Sequence, residues 1–144
     1  MHWDNYFPLF HRLYKNNINR YQFFTHKEGS MFDEMEPMLD EYPIPGLFNL
    51  MDYIFDEENS GTYNWIVNID LDYFFQRIDE TDITIRIISF EAIDFFIQKI
   101  KPHLNDKITV MTIALSPECC GGWDNSLSLM NYFASKLDID FKIE

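Results

Sequence analysis

Apolar and polar positions along the chain follow two periods, one helical and one strand-like. Phe7, Phe10, Leu13 and Tyr14 recur at helical spacing within residues 3–15, with Asp4 or Asn5 as N-cap and Pro8 in the first turn. YQFFT at residues 21–25 predicts a short strand. Residues 29–45, rich in Met, acidic side chains and proline, predict an irregular excursion, followed by a helix over 47–55 and a turn over 57–62. Residues 65–70 predict a central strand. Ser89 then caps a helix whose apolar face carries Phe90, Ile93, Ile97, Ile100 and Leu104. ITVMTIAL at 108–115 is apolar throughout, the pattern of a parallel strand buried on both faces. After a loop over 116–123, Asp124 or Asn125 caps a last helix with Leu127, Met130, Phe133, Ala134 and Leu137 inward. Residues 138–143 predict a final edge strand.

Strands alternating with helices predict one α/β domain over residues 1–144 with a mostly parallel sheet. Ligands of such sheets collect at the carboxyl ends of the strands. Three predicted strand ends carry side chains able to bind a ligand: Asp70 and Asp72, then Glu118, then His26 and Glu28. In WIVNIDLDYFF the two aspartates stand at i and i+2, so a continuing strand projects both to one side. Two carboxylates that close need a cation or a shared proton.

Composition narrows the partners. A formal net charge of −13 opposes nucleic acid and anionic membrane surfaces, and suits a cationic substrate or a divalent metal. No apolar run is long enough for a membrane helix, and the N-terminal residues lack the pattern of a signal peptide. Cys119 and Cys120 are neighbours, a strained arrangement for a mutual disulfide, so a reducing cytoplasm is expected and both thiols read as small buried apolar groups. His2, His11 and His103 read as surface residues, and Trp3, Trp65 and Trp123 as packing.

VNIDLDYFF, the later TIALSPECCGGW, and upstream WDNYFPLF and FFTHKEG together resemble the arginase-like family, closest to its peptide arginase branch. The resemblance implies a three-layer α/β fold of the arginase/deacetylase type. It also implies a metal-dependent hydrolase of C–N bonds acting on a guanidino or peptide-arginine substrate. Mn²⁺ is the implied metal, with Zn²⁺ as the alternative. Asp70 and Asp72 match the family's Asp-x-Asp strand. Phe24-Thr25-His26-Lys27-Glu28 stands at its Asp-x-His-x-Asp segment, with Phe24 in place of the first Asp and Glu28 in place of the last. Asp4-Asn5-Tyr6 resembles an Asp-Asn-His segment, with Tyr6 in the histidine place. A second register sets His2 and Asp4 against the His-x-Asp half. The implied metal ligands are therefore Asp70, Asp72, His26 and Glu28. Asp70 and Glu118 are the implied catalytic residues, and Glu118, Asp4 and Asn5 the substrate-binding ones.

The departures at Phe24 and Tyr6 leave a second reading open, a binding or regulatory domain that kept the scaffold and lost the chemistry. A third builds a phosphohydrolase on Asp70 as nucleophile, with Asp72 as acid and base. Simpler roles also exist: Asp4, Asn5 and Asp70 as helix caps, Glu28 as a turn charge.

Overall fold

The computed structural model describes residues 6–19, 21–26, 39–43, 55 and 64–143. The chain divides into two compact units, Met1–Asn49 and Leu50–Glu144, and each contains a parallel strand pair.

In the first unit, helix α1 (Tyr6–Tyr14) leads through a 3₁₀ turn (Lys15–Asn17) to strand β1 (Tyr21–Thr25). β1 pairs in parallel with β2 (Leu39–Pro43), Tyr21 opposite Leu39 and Thr25 opposite Pro43. β2 lies within the stretch expected to be irregular. Its proline is tolerated because the two strands form a sheet with open edges among the described residues. The inward face of α1 also departs from expectation. Leu13 and Tyr14 are 65% and 51% exposed, whereas His11, expected at the surface, is 2% exposed. Phe7 and His11 lie one turn apart and share the face toward β1. Phe7 meets the rings of Tyr21 and Phe23 edge-on at 5.3 and 5.1 Å, and His11 Nδ1 is hydrogen-bonded to Tyr21 Oη at 3.0 Å. That bond satisfies a ring that would otherwise be costly to bury.

The second unit runs from β3 (Trp65–Asp70) through a 3₁₀ turn (Leu71–Phe74) into an antiparallel hairpin, β4 (Phe75–Arg77) and β5 (Thr84–Arg86). Helix α2 (Phe90–Ile100) follows, then β6 (Ile108–Ala114), parallel to β3, and helix α3 (Trp123–Leu137). Ser89 Oγ accepts the Ala92 N–H at 3.2 Å and starts α2 as expected. The core lies where the turn after β3 meets both helices. Phe74, Phe96 and Phe133 are buried, with ring centroids 5.4–6.3 Å apart. Leu71, Ile93, Ile97, Ile100, Leu129 and Leu137 pack the same core.

The molecule is mixed α/β, with three helices and three two-stranded sheets among the described residues. The expected burial of β6 on both faces is not met: Val110 and, on β3, Ile66 are 45% and 52% exposed. An apolar pattern says what a strand tolerates; the elements packed on it decide which faces are covered. Gly122, not Asp124 or Asn125, stands at the N-cap of α3, because Asn125 Nδ2 instead donates to Cys120 O at 2.9 Å. Residues 138–143 form no strand. Asp138 turns left-handed at φ 59° to end α3, and Lys101 Nζ donates to Lys136 O and Asp138 Oδ2, each at 2.7 Å. His103 is half-buried, not a surface residue, stacked on buried Phe55 at 4.5 Å. The expected helix over 47–55, apart from helical Phe55, and the turn over 57–62 lie outside the described residues.

Candidate active site

Asp70 is the last residue of β3, opposite Ala114 near the end of β6. Both strands run the same way, so both open toward the same rim, where β6 passes into Ser116-Pro117-Glu118-Cys119-Cys120. The two aspartates meet differently from the strand expectation. β3 stops at Asp70, and Asp72 lies on the 3₁₀ turn. Asp70 Oδ1 accepts the Asp72 N–H at 3.4 Å, so Asp70 performs the capping role as well. Its side chain remains exposed, while Asp72 is half-buried.

The loop after β6 brings further groups to the same rim. Ser116 adopts φ 41°, a left-handed conformation unusual for a non-glycine residue. From it the chain folds back tightly: the N–H groups of Cys119 and Cys120 both donate to Ser116 O at 3.0 Å. Ser126, fully buried on α3, donates its hydroxyl to Leu115 O, and Cys120 Sγ lies 3.5 Å from the same oxygen. Gly121 has φ +79°, and a Cβ there would lie 2.8 Å from Thr84 Cβ of β5, so the loop requires glycine at this contact.

The outcome is a cluster with Cys119 at its centre. Its thiol lies within electrostatic reach of Asp72, Asp70 and Glu118. Burial first, then those negative neighbours, raise the Cys119 pKa above its ordinary value. Burial first and the same aspartates push Cys120 up to about 12. Both thiols stay protonated near neutral pH, which opposes cysteine nucleophile chemistry. Cys120 is buried as expected, but Cys119 is exposed. Sequence reasoning missed Cys119 by treating the pair as one apolar unit. The signal lay in its position: it follows a strand parallel to the one ending in Asp70.

Of the sequence-derived residues, Asp70, Asp72 and Glu118 come together at this rim. His26 follows β1 in the first unit. Asp4, Asn5, Glu28 and the alternative His2 lie outside the described residues. Among the described residues, no group of three or more His, Cys, Asp or Glu side chains is arranged to hold a metal ion. The rim brings together two carboxylates from one turn of chain, Asp70 and Asp72. It does not by itself supply a two-metal centre.

Two shallow depressions of about 420 and 360 Å³ lie at the β4–β5 hairpin among the described residues. Among the described residues no helix is long and apolar enough to cross a membrane. Compared with protein-family models, curated proteins and solved structures, the chain finds no match in any of the three.

Proposed function

We propose that the chain is a metal-dependent hydrolase of C–N bonds, arginase-like, acting on a guanidino or peptide-arginine substrate. One observation carries the reading: the parallel pair β3–β6 opens Asp70, Asp72 and Glu118 onto one rim. Asp70 and Asp72 would hold the cation, Mn²⁺ or alternatively Zn²⁺. When bound, such a cation supplies a water acidic enough to attack a planar carbon near neutral pH. Glu118, exposed on the loop, offers its carboxylate to the guanidinium in a charge-assisted pair. The net charge of −13 favours the approach of a cationic side chain. The test is Mn²⁺ and Zn²⁺ titration by calorimetry, followed by urea release from an arginine-containing peptide. Stoichiometric binding abolished by Asp70→Asn is expected. A wild-type protein that binds neither metal leaves a binding domain that lost the chemistry.

A second reading, an aspartate-nucleophile phosphohydrolase, is favoured by the position of Asp72. Asp72 stands on the turn and not beside Asp70 on the strand, and in this reading it would act as acid and base on a group held by Asp70. Asp70 Oδ1 is engaged by the Asp72 N–H, so Oδ2 would attack phosphorus and expel the ester oxygen, which Asp72 as acid would protonate. Fluoroberyllate binding that requires Mg²⁺ and disappears in Asp70→Asn supports this reading over the first.

A further inference from the structure

The β4–β5 hairpin turns two unlike faces outward and inward. Phe75, opposite Arg86, is buried, and the Arg86 guanidinium lies 3.4 Å over the Phe90 ring of α2. Thr84 abuts Gly121. Through Phe75 and Thr84 that face meets the body, while Arg77 and Arg86 on it remain exposed. Strand alternation sends the next residues the other way. Ile85 stands opposite Gln76, and pairing continues past both strand ends through Ile78 N–H to Ile83 O at 2.9 Å and Ile87 N–H to Phe74 O at 3.0 Å. Ile78, Ile83, Ile85 and Ile87 are consequently 41%, 58%, 45% and 37% exposed. Single exposed isoleucines are ordinary; four on one hairpin form a patch.

The patch has an acidic rim at its turn. Asp79, Glu80 and Asp82 line the larger depression with Arg77 and Thr81, and the smaller one reaches from Asp79 to Ile78 and Ile85. Arg77 pairs with Asp82 at 2.7 Å, leaving Asp79 and Glu80 as the uncompensated charges there. Glu80 is exposed and adopts a left-handed backbone at φ 61°.

We propose that this hairpin face is a docking surface for a short extended segment of a partner that alternates lysine or arginine with branched apolar residues. Apolar side chains would cover the isoleucines while the cations meet Asp79 and Glu80. Charge complementarity selects this occupant over a second copy, since two chains each carrying −13 repel. The surface is independent of the chemistry assigned to Asp70.

The test is ¹⁵N-labelled protein titrated with a short synthetic peptide of alternating lysine and valine. Controls replace lysine by glutamate, or valine by serine. Shifts gathered within residues 76–87 are expected, with binding weakened about tenfold by Ile85→Ser and by Asp79→Asn with Glu80→Gln. Ile83→Ser, at the most exposed of the four positions, replaces Ile85→Ser if that variant disturbs the spectrum elsewhere. Shifts scattered over the acidic surface, equal binding of the lysine–serine peptide, or no binding would overturn the proposal. So would a concentration-dependent dimer in sedimentation that Ile85→Ser dissolves, which would give the face to a second copy.

Discussion

The carboxyl end of β3 and the β4–β5 hairpin adjoin in sequence yet organise opposite materials. At the first, carboxylates and thiols crowd a rim. At the second, hollows and apolar surface dominate, and charge is confined to the turn. Chemistry-bearing residues and concavity are often sought together; the two depressions belong to the hairpin. The rim offers concentrated charge, whereas the hairpin offers apolar area.

Phe74 joins them. It ends the turn that carries Asp72, immediately precedes β4, and is 2% exposed among Phe96 and Phe133. Phe74→Ala is expected to give the largest effect, about 3–5 kcal/mol of lost stability in urea unfolding, with rim and hairpin signals lost in one transition. Separate transitions would mean that the two regions are not held by one core. Gly121→Ala comes next. Its positive φ and the contact with Thr84 predict a loss of about 1–3 kcal/mol, felt on both sides of the contact. Amide shifts confined to the loop and absent from β5 would show that the contact transmits nothing.

The smallest effect is on reactivity. Negative neighbours raise the Cys119 pKa, so Asp72→Asn removes one of them and lowers it. The thiolate fraction at a fixed mildly alkaline pH then rises, and iodoacetamide modification of Cys119, followed by mass spectrometry, should accelerate several-fold while buried Cys120 stays unmodified. An unchanged rate would remove the thiol from the cluster. The same protons bear on stability. Cys120 and Tyr73 are pushed up to about 12 from ordinary values of 9.0 and 10.0. The unfolded chain therefore gives up these protons first, and their contribution, complete below pH 9, is lost as pH rises toward 12.

Where periodicity was strong, the sequence was readable. The helices at 90 and 123 and the strands at 65 and 108 fall near their expected positions, because apolar spacing and the Ser89 cap act locally. The hairpin is not legible in the pattern, because Phe74 and Phe75 continue the apolar run of β3 and hide the intervening turn. The burial of His11 is not local either, since it depends on Tyr21, a partner ten residues away. At the rim, Asp70, Asp72 and Glu118 were legible from strand ends, but the role of Cys119 depends on the fold of the 116–120 loop. Local pattern does not encode which side of a turn meets which carboxylate.

The parallel pairing of β3 with β6 also sets an order of events during synthesis. Parallel neighbours need a long crossover, here the hairpin and α2, so Asp70 leaves the ribosome well before Ala114. Closing that loop costs entropy that only completed packing returns, which makes this pairing slow relative to hairpin or helix formation. The nascent chain consequently presents its paired aspartates, and the unpaired edge of β3, before the loop bearing Glu118 and Cys119 exists. A divalent cation or a chaperone that meets the chain in that interval encounters carboxylates without their later neighbours.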